Sequence, residues 1–472
     1  MLLGLGSLSS QPIKNITVGC SEISVDGANI GTTSDSSVYM WAYSNDIMID
    51  IESSCAQTLT FFIDNISTDN LVTVGVEDLI GISDTKISFT VDPSQIQHIS
   101  LYNDTQGIDS FKFIAMGDNR DGPETFEAIL DEIDTAQYAF SINTGDLVPS
   151  GKLEQFVEFM DMIGDLSYPF YTAMGNHELN NNSVHLAASF LGEPNYSFDY
   201  GNTHFIILDN CLNYITDDQY EWMREDINGT DRTNIVLNCH VPPYDPREGQ
   251  HHCLNPEDAQ EFIDFNEEMG VDLVLNGHIH LYDTQTFQGV EYVITGGAGA
   301  PLYAIEPEGG FFHYLICTVD GNEISHEVVK IISPLYTPEI AQQQLERSED
   351  LYNTTYAALT ESMYLASDIE KSGKDISGQM KHLSTIEGSL AISHERIAES
   401  KHDLDNEYWH DSIVDSKAAY SYAQQASVNL ENINSYLENI SADEGFNMMY
   451  AGIGLAVVVL VMAAIVFSKK RG

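Results

Sequence analysis

The spacing of apolar residues changes three times along this chain. From residue 11 to about 108 it consists of short β-rich runs, among them Ser37–Tyr43, Thr58–Ile63, Leu71–Val76 and Lys86–Val91, separated by clusters of Asp, Asn, Ser and Gly. Runs of that length between turn formers predict a small β-sandwich. It carries no group of ligating side chains, so it reads as a structural or partner-binding module. Between residues 110 and 332, apolar strand-like runs alternate with helical stretches at Pro123–Ile133, Leu153–Ile163, Thr216–Ile227 and Pro256–Met269. That alternation predicts an α/β domain. From 338 to 443 the period becomes seven: Ile369, Ile376, Leu383, Leu390, Ile397 and Leu404 make one seam, and Ala419, Ala423, Ala426, Leu430, Ile433, Leu437 and Ile440 continue in steps of four and three. A heptad seam predicts a helical hairpin or coiled-coil stalk, broken into several helices at Gly373, Gly378, Gly388 and around Trp409–Asp411. A stalk of this kind offers a surface for homo-oligomers.

Residues 446–467 include the uncharged run Met448–Phe467, close to the ~20 residues that a bilayer crossing requires. Asp443 and Glu444 precede it and Lys469, Lys470 and Arg471 follow. The positive-inside bias therefore puts a basic tail, 468–472, in the cytoplasm and the bulk of the chain outside, anchored in the lipid bilayer of the cell membrane by a single pass. The competing reading is a buried helix of a soluble protein. Gly452 and Ala456 form a small-xxx-small pair, a weak dimerisation signal. Residues 1–10 are apolar without a basic start and read either as a signal-peptide remnant or as an ordinary soluble N-terminus. Eight Asn-x-Ser/Thr sequons (Asn15, Asn65, Asn103, Asn181, Asn195, Asn228, Asn353 and Asn439) fit an external glycoprotein.

Charge changes this picture in one respect. The 472 residues carry 19 Lys and Arg against 72 Asp and Glu, a formal charge of −53, and no run of Lys or Arg would make a local basic groove for nucleic acid. Binding to a nucleic-acid backbone is not expected of such a surface. Hydrophobic residues make up 43%, enough for real cores, so acidity does not imply disorder. Of the six cysteines, Cys20 and Cys55 could staple the N-terminal module, and Cys211 and Cys253 could tie a loop near the candidate site described next. Cys317, in an apolar run, reads as a buried thiol.

The candidate chemistry sits where apolar runs end. Phe111–Met116 leads into Gly117-Asp118-Asn119-Arg120, Tyr138–Ile142 into Gly145-Asp146, and Tyr168–Met174 into Gly175-Asn176-His177-Glu178. Thr233–Leu237 leads into Cys239-His240, and Val271–Leu275 into Gly277-His278-Ile279-His280. Open α/β sheets place their sites on loops at the carboxyl ends of successive strands. One such cluster could merely cap a turn; five in order read as a metal centre.

The ordered series GD…GD…GNHE…H…GHxH resembles the calcineurin-like metallophosphoesterase superfamily, in its purple acid phosphatase-like branch, over residues 110–332. The resemblance implies two stacked sheets with helices outside, the stretch from Glu291 to Val319 forming part of the second sheet. It implies two divalent or trivalent ions (Fe, Mn or Zn), about 3.5–4 Å apart. Asp146 would bridge them, Asp118 and His280 would complete the first site, and Asn176, His240 and His278 the second. His177 would approach the leaving group of a phosphate-ester substrate, and Glu178 would orient it. Many relatives have a His at the position of Arg120, and purple acid phosphatases a Tyr at that of Pro149, so the first site lacks a protein ligand. Arg120 then either grips a substrate phosphate or simply pairs with Asp121. His251 and His252 are candidate substrate contacts, or loop histidines without a role. Gly296–Pro301 lacks the Lys of a phosphate-binding loop and reads as a tight turn under the site.

The expected architecture is therefore multidomain α/β: an N-terminal β-sandwich, a metallophosphoesterase domain of stacked sheets flanked by helices, a helical stalk and one transmembrane helix. The expected function is a surface-anchored dinuclear phosphoesterase that hydrolyses monoesters by metal-hydroxide attack. The alternatives are a diesterase of the same fold and a degenerate surface protein used for binding or scaffolding.

Overall fold

The computed structural model describes residues 14–76, 78–92, 97–180 and 183–443. The expected leader 1–10, membrane segment 446–467, tail 468–472 and the Asn181 sequon lie outside the described residues. Among the described residues no helix is long and apolar enough to cross a membrane. The chain divides into two compact units, one ending at Ser333 and one starting at Pro334.

The first unit opens with two five-stranded sheets. One runs in the order β1 (Asn15–Val18), β2 (Ser21–Asp26), β5 (Asp46–Ser53), β10 (Gln97–Asn103), β7 (Leu71–Val74). The other runs β3 (Ala28–Thr33), β4 (Ser37–Ala42), β6 (Leu59–Asp64), β9 (Lys86–Val91), β8 (Ile80–Ser83). Strict alternation builds the core they share. In β5, Ile47, Ile49 and Ile51 point inward while Asp46, Met48, Asp50 and Glu52 face out, and they meet Phe61, Ile63 and Phe89 from the second sheet. A Cys20–Cys55 disulfide ties the β1–β2 turn to the end of β5.

The following residues form two further sheets. The five-stranded one has the order β13 (Phe170–Thr172), β12 (Ser141–Asn143), β11 (Ser110–Met116), β20 (His313–Asp320), β21 (Glu323–Lys330). The six-stranded one has β14 (Tyr196–Tyr200), β15 (Thr203–Leu208), β16 (Asn234–Cys239), β17 (Leu273–Asn276), β19 (Val290–Thr295), β18 (Tyr282–Phe287). They stack through one aromatic-rich core, to which β11 contributes Phe113 and Ala115, and β15 and β16 contribute Phe205, Ile207 and Val236. The opposite face of β11, Ile114 and Met116, packs under helices α1 (Pro123–Ile133), α2 (Leu153–Ile163) and α3 (Val184–Leu191). Helices α4 (Asp217–Gly229) and α5 (Pro256–Met269) cover the outer face of the second sheet. Burial on both faces is why Phe113–Met116 of β11 and Ile235–Leu237 of β16 read as unbroken apolar runs. Strands β11, β12 and β13 are mutually parallel, as are β15, β16, β17 and β19, so their carboxyl ends collect at one edge.

Three expectations need correction here. Residues 291–319 do not all belong to the second sheet: β19 does, but β20 returns to the first and pairs antiparallel with β11, Phe113 opposite Cys317. The edge of β11 away from β12 would otherwise be left open. Cys211 and Cys253 are both free; the Cys211 thiol is buried and donates to the Met174 carbonyl at 2.9 Å, inside the core rather than toward the loop. Asn65 is no glycan acceptor in this fold. It is buried, and its amide donates to the carbonyls of Ala42 and Phe170 and accepts from Phe170 N–H.

The second unit consists of α6 (Pro338–Lys371), α7 (Ser377–Asp405) and α8 (Trp409–Asp443). The heptad seam is buried among the chain's own three helices: Leu351, Leu359 and Ile369 meet Leu383, Ile386 and Leu390, and Ala423, Ala426, Leu430 and Leu437 fill the third side. It is thus neither a two-helix hairpin nor a rod. Thr337 caps α6, accepting from Ile340 N–H. The second break falls at residues 406–408, just before Trp409, with Glu407 at φ 67°.

At the β14 end of the six-stranded sheet, buried His204 uses both ring nitrogens on carboxylates: Nδ1 lies 2.7 Å from Asp199 and Nε2 3.0 Å from Asp226. Both nitrogens donate only in the imidazolium form. Burial opposes that charge, but the two carboxylates win and raise the pKa from 6.5 to about 9. The raised value makes this contribution to stability complete below about pH 6.5 and progressively lost as pH rises through about 9. Such a shift corresponds to at most about 3 kcal/mol, and solvent at Asp199 reduces it to about 1–2 kcal/mol. Urea unfolding from pH 6 to 10 should show that decline in the wild type and a flatter profile in His204→Gln; parallel profiles would contradict the assignment.

Candidate metal centre

All five strand-end loops converge at the carboxyl edge of the two sheets. Asp118 follows β11, Asp146 follows β12, and the Asn176–Glu178 turn follows β13. His240 follows β16, and His278 and His280 follow β17. Three of these residues, Asp118 (φ 60°), Asp146 (φ 56°) and His278 (φ 69°), adopt the left-handed backbone region that costs an L-residue about 1–2 kcal/mol. Here it reverses the chain within one residue and aims the side chain back over the strand ends. It also answers how His278 and His280, two apart, serve one site. Consecutive tight turns, Ile279 N–H to Gly277 O (2.8 Å) and Leu281 N–H to Ile279 O (2.7 Å), bend the chain between them. Gly175 is required for close approach, since a Cβ there would lie 2.2 Å from Asp146 N and Oδ1.

On one side of Asp146 four donor atoms gather. His240 Nε2 lies 3.3 Å from Asp146 Oδ1, 3.2 Å from Asn176 Oδ1 and 3.1 Å from His278 Nδ1. His240 Nδ1–H donates to the Thr144 carbonyl at 2.9 Å, which leaves Nε2 as a bare lone pair in the neutral ring. An electron pair facing two oxygens needs a positive charge between them. The donor set (one carboxylate, one amide oxygen, two imidazoles) fits a first-row transition metal or zinc. Burial, reinforced by His240, His252, His280 and His177, pushes the His278 pKa far below that of an ordinary histidine, so its ring is neutral and able to ligate.

On the other side of Asp146 the arrangement differs. Asp118, Asp146 and His280 bring their ligand atoms together, but Arg120 is seated among them. Its Nε donates to Asp146 Oδ2 at 3.1 Å, Nη2 to His280 Nε2 at 3.3 Å and Nη1 to Asp121 Oδ2 at 2.6 Å. Asp118 accepts the His278 N–H with both oxygens, at 2.8 and 3.1 Å. Burial alone would raise the Asp146 pKa, yet His240, His177 and Arg120 hold it below the usual carboxylate value. Pairing with Asp121 is therefore observed, though as one of three contacts.

His177 stands at the rim, partly exposed, with Nδ1–H donating to Pro149 O at 2.6 Å and Nε2 3.8 Å from Asp146 Oδ2. The expectation that Glu178 orients it does not hold. Glu178 is fully buried and turned away, accepting the N–H groups of Gly175 (2.6 Å), Leu147 (2.8 Å), Val148 (2.9 Å) and Asp146 (3.0 Å). Burial, then the neighbouring Asp146 charge, raises its pKa, against the pull of these donors. His251 is exposed on the loop after β16, whereas the His252 ring packs on His278 with centroids 3.9 Å apart. Sequence reasoning missed Tyr303, stacked on His280 at 3.9 Å, and Arg247, held by Asp245 and lying over the Tyr303 ring. An aromatic and an arginine flanking a histidine-rich stretch was the only signal available. The Gly296–Pro301 turn packs beneath the centre, Ala298 N–H and Ala300 N–H donating to the carbonyls of Gly117 and Asp118.

Residues 111–282 match the family model described as calcineurin-like phosphoesterase. Purple acid phosphatase 18 of Arabidopsis thaliana is 27% identical over 180 residues, 33% of this chain and 41% of that protein. Purple acid phosphatase 23 of Arabidopsis thaliana is 33% identical over 122 residues, 24% and 25% of the two chains. The chain thus spans less than half the length of these relatives. A purple acid phosphatase from yellow lupin (Lupinus luteus) seeds is similar in structure over 61% of this chain and 70% of its own, with 16% identity and a TM-score of 0.44. The resemblance read from the motifs, to the calcineurin-like superfamily and its purple acid phosphatase-like branch, is borne out.

Glu178→Ala should strip four buried N–H groups of their acceptor. At about 1–3 kcal/mol for each group left unmet, a loss of about 3 kcal/mol or more is expected in chemical denaturation, with Glu178→Gln in between. A loss below about 1 kcal/mol for Glu178→Ala would contradict this role.

Proposed function

We propose that this chain is a metal-dependent phosphoric ester hydrolase that takes phosphate monoesters in preference to diesters. The observation that carries the reading is the convergence of Asp146 Oδ1, Asn176 Oδ1, His240 Nε2 and His278 Nδ1 on one buried point. A cation held there by Asp146, Asn176, His240 and His278 would lower the pKa of a water molecule and offset charge on phosphoryl oxygens. The family supports divalent metal ions in general; the finer reading of two, with the first among Asp118, Asp146 and His280, requires Arg120 to leave its present contacts.

The protein's own residues supply the rest. Pro149 O fixes His177 Nδ1–H, so any proton His177 gives to a departing oxygen comes from Nε2, at the partly exposed rim where the leaving group exits. Asp146 stays ionised because His240, His177 and Arg120 surround it. His252 and Tyr303 flank the centre, packed on His278 and His280, where an ester would meet them. Preference for monoesters rests on similarity to purple acid phosphatases alone. Anchoring by residues 446–467, with the catalytic bulk outside, belongs to the same proposal and rests on the uncharged stretch and its basic flank. A second reading, a binding or scaffold protein on a decayed site, draws support from the Arg120 guanidinium resting on the Asp146 carboxylate.

A screen of p-nitrophenyl monoesters and diesters under Mn²⁺, Zn²⁺ or Fe loading separates the two. Asp146→Asn should abolish turnover, and His177→Ala should lower kcat by about 10²–10⁴-fold. Equal rates in all three proteins would leave the scaffold reading standing.

A further inference from the structure

We propose that the Arg120 guanidinium is a built-in cation that replaces the first metal ion, so that the chain works with one exchangeable ion. This rests on the hydrolase reading above and sharpens it. Of the three residues that would face an ion on that side, Asp118, Asp146 and His280, two already accept from Arg120. Asp146 Oδ2 accepts from Arg120 Nε at 3.1 Å, and His280 Nε2 accepts from Arg120 Nη2 at 3.3 Å. His280 has no other lone pair to offer, because Nδ1–H is committed to the Pro301 carbonyl at 2.6 Å. The third face of the guanidinium is closed by Asp121 at 2.6 Å, and the Arg120 backbone N–H donates to the Asp146 carbonyl. The arginine side chain is only 11% exposed, so it is part of the centre and not a surface residue that has folded over it.

Charge and geometry agree. The half-site holds the Asp118 and Asp146 carboxylates, both buried, and a guanidinium remains ionised at any working pH. A divalent ion among the same atoms would sit against that fixed positive charge and have to expel it from three hydrogen bonds. The other half-site contains no such group. There, His240 Nε2, His278 Nδ1, Asp146 Oδ1 and Asn176 Oδ1 face one another with no Lys or Arg side chain among them. One half of the centre is charge-compensated by the chain itself, and the other is built for an ion.

The test counts ions and reads their coupling, without reference to turnover. The full-length chain is loaded with Mn²⁺, desalted, and assayed for metal per chain and by electron paramagnetic resonance. The wild type is expected to retain one ion with the six-line spectrum of isolated Mn(II). Arg120→His, which supplies an imidazole where the guanidinium was, should retain two and show a spin-coupled spectrum. Asp146→Asn should retain none. Two ions in the wild type would overturn the inference while leaving the metal-dependent reading intact; no ion in the wild type would overturn both. An Arg120→His protein that melts like the wild type and still binds one ion would show that the guanidinium is not what excludes the second. Should that variant fail to fold, the wild-type count and spectrum decide alone.

Discussion

A single buried carboxylate holds the loop-bearing edge of the two sheets together. Glu178 reaches back from the loop after β13 and binds the backbone N–H groups of Asp146, Leu147 and Val148 from the loop after β12, together with Gly175 N–H from its own. Left-handed turns such as that at Asp146 cannot satisfy successive N–H groups by ladder bonds, so a side chain must do so. Glu178 thereby converts two separate loops into one rigid ledge. Asp146, Asn176 and His177 all stand on it.

The second organising constraint is electrostatic. Asp118 and Asp146 lie almost wholly out of water in a chain of formal charge −53, and buried carboxylates demand compensation. The structure distributes that compensation unevenly around Asp146, with the arginine fixed on one flank and a set of neutral donor atoms on the other. The Asn side chains at strand ends belong to the same scheme. Asn143 bonds Asn119 and Gly145 N–H, and Asn119 in turn reaches the Leu147 carbonyl, so the ligand loops are tied by neutral groups that add no charge.

Much of this was legible in the sequence. The strand-end clusters announced themselves because a glycine followed by Asp, Asn or His after an apolar run has few purely structural uses. What sequence cannot show is direction. Glu178 adjoins His177 in the chain, yet the turn points one outward and the other into the core, so adjacency suggested a partnership that does not exist. The true partner of His177 is a backbone carbonyl, that of Pro149, and backbone atoms leave no mark on a sequence. Cys211 and Cys253 looked paired by position alone, while their thiols have different surroundings. The heptad seam identified helices correctly, but a period of seven records that a face is buried, not whether one, two or three helices bury it. Arg120 was visible as a departure; where it rests could be seen only in three dimensions.

The left-handed backbone at Asp118, Asp146 and His278 has a consequence for how such a protein ages in evolution. Glycine would relax the backbone at each of these positions, and asparagine would do so in part, so the changes that ease local strain there are the ones that alter the candidate ligands. Folding and chemistry pull in opposite directions at the same three residues. A lineage that no longer used the centre would be free to relax them.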